Sequence, residues 1–455
     1  MKRNRAIMAF ILAFIAPIVF AYGLDLAGQS NHVKAAFSVT HLAGICKTAR
    51  NYSVRDFGAA GDGATMDTAA IQRAIDTAHA AGGGRVTVPP GIYLAGTVQL
   101  RSHVELHLEK GAVLKGCTSE SGYNRNDAFP ENFWSQDEEW SGGHLLLGYK
   151  VENVAITGEG KIDGSGLSFF GECDEDSRFP GYKYGLRLHP LDRTWFRPGP
   201  LVAFFLSKDI RLEGVSVVDS PCWTTHFRCC NGVSIRNVTI CNDRTVANTD
   251  GFSIDCSSNV KVSKCTVVTG DDAVAIRASC KLHADKNPCE HIWVEDCDFS
   301  SCAMGVRIGI GTGTIRDVNI TRCVVREAAR GIKFHAAWRP FRKKGCCIEG
   351  VRITDCQILE CDNPVRTVGG AGDWRVRNVT FENCRFSSLS PVSLADDGGR
   401  HLENITFRNC TREYLDRLKV RHHWGYGDDR SRKFIEVDGE VVNLQIENCL
   451  ADEVP

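Results

Sequence analysis

One short phrase recurs along the second half of the chain, and this repeat restricts the possible folds more than any other feature. In each copy, two apolar residues at alternate positions precede a cysteine, as in VKVSKC, IWVEDC and LQIENC. The cysteines of successive copies are separated by 32, 26, 33, 28, 26 and 39 residues: Cys265, Cys297, Cys323, Cys356, Cys384, Cys410 and Cys449. A repeat on this scale predicts a stacked array in which each unit buries its apolar face against its neighbours.

The segments between the copies predict the type of array. They contain further short apolar runs and turns rich in Asn, Asp and Gly, with no long helical pattern between them. Short strands without intervening helices favour a parallel β-helix over a propeller, whose blades need about 40 or more residues and hairpin turns. We therefore predict an all-β chain folded as a parallel β-helix.

The 21 cysteines would first suggest disulfides in an exported protein. A cysteine that returns in one slot of a repeat instead indicates an internal ladder, since a small apolar thiol fits a tight turn. For the other cysteines disulfide bridges stay open, including Cys229 and Cys230, Cys346 and Cys347, and Cys280 with Cys289. No Cys-x-x-Cys pair with matching histidines indicates a metal site, and we expect no cofactor.

One amphipathic helix is predicted from Asp67 to Ala81. One side of it is apolar, and it ends at three consecutive glycines, Gly82 to Gly84. The apolar side consists of Ala70, Ile71, Ala74, Ile75 and Ala78. We expect this helix to cap the start of the strand array, because an uncovered sheet edge promotes aggregation.

Three carboxylates lie just before two of the short apolar runs. Asp250 precedes the run 252–254, and the adjacent Asp271 and Asp272 precede the run 274–276. Asp250 and Asp272 are 22 residues apart, about one turn of a β-helix, so stacked strands would bring all three acids to one edge. Neighbouring carboxylates do not ionise independently, which separates their pKa values into an acid and a base. The alternative is that Asp-Gly and Gly-Asp-Asp only form turns.

The N-terminus resembles an export signal. Three basic residues among the first five precede an apolar run from Ile7 to Tyr22 that ends in small residues. We predict a signal peptide over residues 1–22, a linker over 23–50 and one β-helix catalytic domain over 51–455, with an uncleaved membrane anchor as the alternative. The protein is then exported to the periplasm, the cell surface or the medium.

The charge balance restricts the class of partner. The formal net charge is -1, and no basic stripe stands out, which argues against a nucleic-acid partner. No segment beyond the export signal is apolar enough to cross a membrane. We expect a monomer whose partner is a glycan substrate.

Several passages, in their order and spacing, resemble glycoside hydrolase family 28, the polygalacturonase family. They include SVRDFGAAGDG, ENVAITGEGKIDGSG, DSPCWTTHF, NTDGFSID and GDDAVAI, and the resemblance covers roughly residues 51 to 450. It implies a right-handed, single-stranded parallel β-helix that cleaves glycosidic bonds of pectic polysaccharides with inversion and without a metal. It also implies that Asp271 is the general acid, that Asp250 and Asp272 hold the attacking water, and that Asn248 belongs to the site.

Two passages depart from the family pattern. The family's Gly-His-Gly is replaced by Cys302-Ala303-Met304-Gly305, which is similar to the rhamnogalacturonan hydrolase branch. The Arg-Ile-Lys motif of family 28 aligns with Lys333-Phe334-His335 in this chain. Lys333 and His335 are expected on the outward face, where a cation can meet a uronate carboxylate. Lys333 replaces the arginine of the family motif and lacks its two-pronged donor geometry, so the exchange argues against tight recognition of a uronate.

Further candidate residues of the cleft follow from the strand alternation. Arg277 and Arg307 are expected to project outward beside the acids, toward a carboxylate of the substrate or of the site, or into solvent. His226 is expected one turn before Asp250, as a substrate contact or as a buried, hydrogen-bonded histidine. The aromatic candidates for sugar stacking are Trp195, Trp223 and Trp338, although an isolated tryptophan more often serves packing.

Two stretches interrupt the repeat, Gly122 to Ser141 and Gly171 to Phe196, and are expected to form cleft walls. Because Asp271 and Asp272 are neighbours, we also expect a bend or bulge at Gly270 to Asp272 that lets both face the cleft.

Three classes of function remain open. The first is an inverting glycoside hydrolase for pectic polymers or oligosaccharides, like a polygalacturonase or a rhamnogalacturonan hydrolase. The second is a β-helical polysaccharide lyase, against which the Asp-Asp pair argues. The third is a catalytically inactive carbohydrate-binding β-helix, which would have no use for a costly cluster of acids.

Overall fold

The computed structural model describes residues 50–132, 141–172, 188–190, 196–280, 283, 286–337, 344–369, 372–396, 399–417 and 431–451. The predicted signal peptide and nearly all of the predicted linker lie outside these residues, so both stay predictions. Among the residues that the structure describes, no helix is long and apolar enough to span a membrane.

The chain winds through three long parallel sheets in the same order on each turn, which makes it a right-handed parallel β-helix. Strands are numbered β1 to β39 in chain order. Sheet 1 has thirteen strands: β1 (Asn51–Ser53), β3 (Gly84–Val88), β6 (Val104–Leu108), β9 (Glu152–Gly158), β14 (Lys208–Glu213), β17 (Asn231–Arg236), β20 (Ser258–Ser263), β23 (Cys289–Glu295), β26 (Thr314–Thr321), β29 (Lys344–Thr354), β32 (Asp373–Glu382), β35 (Leu402–Arg408) and β38 (Val441–Glu447).

Sheet 2 also has thirteen strands, most of them shorter: β2 (Asp62–Met66), β4 (Gly91–Ala95), β7 (Ala112–Gly116), β10 (Lys161–Asp163), β15 (Ser216–Val218), β18 (Thr239–Cys241), β21 (Thr266–Thr269), β24 (Asp298–Ser301), β27 (Val324–Arg326), β30 (Gln357–Cys361), β33 (Arg385–Ser388), β36 (Thr411–Tyr414) and β39 (Leu450–Ala451).

Sheet 3 carries the candidate site and has eleven strands: β5 (Val98–Gln99), β8 (Leu146–Tyr149), β13 (Val202–Phe205), β16 (Thr225–Arg228), β19 (Phe252–Asp255), β22 (Val274–Ala278), β25 (Met304–Gly311), β28 (Arg330–His335), β31 (Asn363–Val368), β34 (Val392–Ala395) and β37 (Ile435–Asp438). A separate antiparallel pair, β11 (Phe170–Glu172) and β12 (Leu188–Pro190), lies in the second predicted insert.

The core lies between the three sheets, and strand alternation determines which side chains enter it. In sheet 3, register pairing stacks Phe252, Val274, Val306 and Ile332 on consecutive turns, and all four are buried. Burying a side chain of this size contributes about 1.5–3 kcal/mol relative to leaving it exposed. The inner face therefore stabilises the stack, and the residues between these positions point outward.

The predicted helix is confirmed as α1 (Thr68–Ala80), and its buried residues are the five that the sequence placed on the apolar side. Asp67 precedes it, but its carboxylate accepts hydrogen bonds from the backbone N–H groups of Ala60 and Gly61, at 2.6 and 2.9 Å. Because α1 packs against β3, β5 and β6, it covers the first turns of the array, as a cap should.

The predicted cysteine ladder is confirmed at the corner between sheets 1 and 2. The backbone N–H of Cys265 donates to the sulfur of Cys297 at 3.4 Å, and the thiol of Cys323 donates to the carbonyl of Val294 at 3.6 Å. All members are buried except Cys449, which lies near the C-terminal end of the stack and is half-buried. The 19 cysteines of the described part of the chain are all free, so none of the bridges left open forms among them.

Candidate active site

Asp250 and Asp272 occupy equivalent positions on adjacent turns. Each lies two residues before a strand of sheet 3, and the first residues of those strands, Phe252 and Val274, are register partners. The N–H of Gly251 donates to the carbonyl of Asp272 at 2.8 Å, which continues the ladder through the corner. The predicted register is confirmed, and neighbouring turns are about 4.8 Å apart.

Asp271 and Asp272 lie in the corner between β21 and β22, so of the bend or bulge expected at Gly270 to Asp272 the structure shows a bend. The chain leaves sheet 2 at Thr269 and enters sheet 3 at Val274. The hydroxyls of Thr269 and Ser301 both donate to the carbonyl of Asp271 at 2.6 Å, which holds the corner. A Cβ atom on Gly270 would lie 2.1 Å from the carbonyl oxygen of Val246, so only glycine fits there.

Arg307 joins the two adjacent acids. It projects outward from β25, as predicted, with its Nε 2.8 Å from Oδ2 of Asp272 and its Nη2 3.9 Å from Oδ1 of Asp271. The same Nη2 donates to the sulfur of Met304 at 3.5 Å. Of the partners left open for Arg307, the structure shows the carboxylates of the site.

The acid pair retains a proton near neutral pH. Burial raises the pKa of Asp272 to about 8, with Arg307 acting in the opposite direction and Asp271 adding to the rise. The Asp271 side chain is 14% exposed and that of Asp272 is 0% exposed, so Asp271 is the member that is open to the cleft.

A row of cations continues from Arg307 along the outer face of sheet 3. Its register partner on β28 is Lys333, and the partner of Lys333 on β31 is Arg366. Burial and the charges of Arg307, Arg330 and Arg366 together lower the pKa of Lys333 to about 7, while Asp272 acts in the opposite direction. The sequence analysis missed Arg366, although its alternation within β31 would have placed it on this face.

His335 also lies on the outer face, as predicted, two residues beyond Lys333. It is nearly buried, and burial together with Lys333 holds its pKa well below the usual value. His335 is therefore a neutral imidazole at neutral pH, which can exchange hydrogen bonds with a sugar but supplies no positive charge.

His226 and Arg277 pack on Trp223. The His226 ring is fully buried, 5.4 Å from the Trp223 ring and 5.7 Å from the Phe205 ring in edge-on contacts, and burial lowers its pKa to about 3. The guanidinium of Arg277 lies 4.5 Å above the Trp223 ring. Direct contact between His226 and a substrate would need these rings to move, so both substrate-binding roles stay predictions.

Asp255 was missed by the sequence analysis, although its outward position on β19 was readable from the alternation with Phe252 and Ile254. Its carboxylate accepts two hydrogen bonds from Arg228 at 3.1 Å and one from the N–H of Ser279 at 2.7 Å. Burial alone would raise the pKa of Asp255, but Arg228 and His226 bring it well below its usual value. This charged network braces the sheet beside the acids.

Asn248 lies on the turn before Asp250 in a left-handed conformation, with φ of 58°. Its side-chain carbonyl accepts a hydrogen bond from Arg197 at 2.7 Å. Asn248 is exposed at the edge of the acid cluster, and its substrate-binding role stays a prediction.

The outer face of sheet 3 is covered on the turns before the acids. We call this region the closed end; it consists of Phe129, Leu147, Tyr149, Ala203 and Phe205. The Phe129 ring stacks on Tyr149 at 4.3 Å and meets Phe205 edge-on at 5.0 Å. Residues 123–132 of the first predicted insert thus form a wall. Residues 133–140, most of the second insert, Trp195 and Trp338 lie outside the described residues.

Two buried polar contacts hold this wall in place. His144 bridges the carbonyl of Pro200 and the side-chain carbonyl of Asn132, with both distances 2.6 Å. Arg228, which also binds Asp255, donates to the carbonyl of Glu131 at 3.3 Å. The wall and the network beside the acids are therefore one connected structure.

A family model described as Glycosyl hydrolases family 28 matches residues 85–340, more than half of the chain. The protein belongs to glycoside hydrolase family 28. The resemblance seen in the sequence is thereby confirmed, and the chain is a glycoside hydrolase.

Similar proteins include a probable polygalacturonase of Vitis vinifera, 30% identical over 60% of this chain, and an exo-poly-alpha-D-galacturonosidase of Dickeya chrysanthemi, 24% identical over 86%. This family 28 chain spans 54% of the length of the former and 74% of the latter. An exopolygalacturonase from Thermotoga maritima superposes with a TM-score of 0.67 at 22% identity, over 88% of this chain and 92% of that one. That likeness shows a shared fold.

Proposed function

We propose that this family 28 enzyme hydrolyses pectic, uronate-containing glycans with inversion of the anomeric carbon. The observation that supports this most is the acid pair Asp271–Asp272, joined by Arg307, with Asp250 in the equivalent position one turn away. Inverting hydrolysis needs one protonated carboxyl and, on the opposite face of the sugar, a carboxylate that activates water.

We assign the roles by exposure and charge. Asp271, the carboxyl open to the cleft, is the proposed general acid, which gives a proton to the glycosidic oxygen as the bond to the anomeric carbon breaks. Asp250 and Asp272 hold the water that attacks the anomeric carbon from the other side, and the ionised one of the two receives its proton. Arg307 limits the repulsion among the three carboxyls, which makes this cluster possible without the histidine that the family usually has here.

The charge of the cleft supports a uronate substrate. Arg277 and Lys333 project from the outer face beside the acids, and a carboxylate on the sugar would pair with either. The similar proteins named above are described as acting on polygalacturonate, and this enzyme is proposed to act on the same class of polymer. Asn248 and His335 are proposed to contact sugar hydroxyls.

The closed end supports attack at chain ends. Phe205 on β13 lies two turns before β19, which Asp250 precedes, so only about 9.6 Å of outer face separates the wall from the acids. A long polymer could not continue past the wall, whereas a chain end could enter. The protein is therefore proposed to release short products from chain ends.

Proton NMR of the first products from polygalacturonan, and separately from rhamnogalacturonan oligosaccharides, tests this proposal. We expect saturated products whose anomeric configuration is initially inverted. Asp271→Asn should lower kcat by about 10²–10⁴-fold, the contribution of general acid catalysis, and leave the fold intact. Asp298→Asn is a matched control, because this aspartate is an exposed partner of Arg326 on sheet 2 and should turn over normally.

Each alternative predicts a different result. Products that absorb in the ultraviolet through a new double bond would indicate a lyase. A folded protein that binds the oligosaccharides and releases nothing would indicate a binding protein. Near-normal turnover by Asp271→Asn would refute the assignment of the acid.

A further inference from the structure

The cation row formed by Arg307, Lys333 and Arg366 begins at the acid pair and runs away from the closed end. The three residues are register partners on β25, β28 and β31, so they lie on one line at intervals of about 4.8 Å. A glycan whose end meets the wall extends across the same strands in the same direction. The row therefore lies under the part of the substrate on the open side of the cleft.

The row is unfavourable for the protein alone. Lys333 is only 8% exposed, yet Arg307 faces it from β25, Arg330 from its own strand and Arg366 from β31. Asp272 is the acid that acts in its favour, and Asp272 is already joined to Arg307. Like charges held together in a partly buried place cost free energy unless an anion compensates them, and this is typical of a binding site.

The two ends of the row have different environments. Arg307 is buried against the acids of the enzyme, where it serves the reaction. Arg366 lies two turns further along, is only half-buried and is followed on β34 by Ser393, an uncharged register partner. The row thus ends in a half-buried arginine. A guanidinium is the group best suited to bind a carboxylate with two parallel hydrogen bonds.

We propose that Arg366 forms a second uronate-binding position, one turn beyond Lys333, so that the enzyme recognises two consecutive uronate residues on the open side of the cleft. This inference rests on the proposed function and names its substrate class. Lys333 and Arg366 select a run of adjacent uronates. A backbone that alternates uronates with neutral sugars would place a neutral residue over one of the two cations and leave that cation without an anion.

Kinetics with galacturonate oligomers of defined length test the proposal. A short oligomer contributes one residue to the open side, and the next longer one adds the second. Arg366→Gln should lower kcat/KM about tenfold for oligomers long enough to reach Arg366, the value for one charge-assisted hydrogen bond, and less than about twofold for the shorter ones. Arg366→Lys should recover part of the loss, and Arg352→Gln, an exposed residue of sheet 1, is the matched control.

Calorimetry separates this inference from the proposed function. The Asp271→Asn protein should bind the longer oligomer, and the added Arg366→Gln change should weaken that binding about tenfold. If the wild type hydrolyses no oligomer but Arg366→Gln still weakens binding of the longer one alone, the hydrolase proposal fails and the second position stands. A loss that is equal at all lengths, or no loss, would overturn the second position.

Discussion

The closed end and the cation row lie on the same face of the same sheet, yet their side chains have opposite character. Over β8 and β13 the outward residues are apolar and are covered by Phe129, whereas over β25 to β31 they include Arg307, Lys333 and Arg366. The inner faces do not differ in this way, since Phe204 on β13 and Ile308 on β25 are both fully buried. Stacking is thus determined by the inner face, and the outer face is available for function.

This difference predicts that the two regions respond differently to substitution. Aromatic pairs such as those of the closed end contribute about 0.5–1.5 kcal/mol each beyond their buried area. The charges beside the acids instead cost stability and are proposed to serve the reaction. Changes at the closed end should alter stability and product length, and changes in the cation row should alter rate and affinity.

The largest effect is expected at Arg307. Arg307→Gln should lower kcat about 100-fold, as loss of one preorganised electrostatic group does. Arg307 lowers the pKa of Asp272, so without this cation the pKa of Asp272 rises. The rise of activity with pH that accompanies ionisation of Asp272 should therefore move to higher pH. A full pH-rate profile measures this shift. Arg316→Gln, an exposed partner of Glu290 on sheet 1, should leave the profile in place, and an unshifted profile in Arg307→Gln would contradict the role.

The next largest effect is a tenfold change of KM per unit of pH, which is expected from the titration of Lys333. Its pKa is lowered to about 7 by burial and by the charges of Arg307, Arg330 and Arg366, against Asp272. The lysine is charged below this pH and neutral above it, so KM for a uronate substrate should rise about tenfold per unit of pH above about 7. Lys333→Arg keeps the charge and should flatten this rise. If KM of the wild type does not change with pH over this range, Lys333 does not bind the carboxylate.

A smaller effect on turnover is expected at the closed end. Phe129→Ala should cost about 3 kcal/mol of stability, the lower part of the range for buried phenylalanines, because Tyr149 and Phe205 lose their partner. It should also lengthen the released products, as chromatography of an early digest would show. Phe386→Ala in the interior is the control, with a similar loss of stability and unchanged products. Unchanged products in both variants would contradict the role of the wall.

The smallest effect is expected from substitutions in the cysteine ladder at the corner between sheets 1 and 2. Val215 and Val238 accept the first hydrogen bond of a sheet 2 strand through their carbonyls, as Cys265 and Cys297 do on later turns. The equivalent corner position is therefore a valine on the turns near the closed end and a cysteine on the turns that carry the cation row. Cys323→Val should therefore change stability by less than about 1.5 kcal/mol and leave kcat/KM unchanged. A marked loss of activity would show that the ladder affects the site.

Much of the site was readable from strand alternation. The runs after Asp250 and Asp272 predicted the register of β19 and β22, and the alternation around Ile332 and Phe334 placed Lys333 on the outer face. Asp255 and Arg366 obey the same rule and were missed because no motif drew attention to them. At Gly270 the prediction left open a bend or a bulge, because the sequence does not show where one strand ends and the next sheet begins.

The amino-acid sequence by itself determined the fold, because a repeated apolar phrase can bury its residues only by stacking. It also determined that the three acids lie close together, because they precede register-paired strands. Only the tertiary structure decided which side chains contact those acids. Arg307 reaches both members of the pair from the next turn, and Glu131 meets Arg228 across 97 residues of sequence. Such contacts depend on side-chain direction and on how a long insert folds back, which local patterns do not encode.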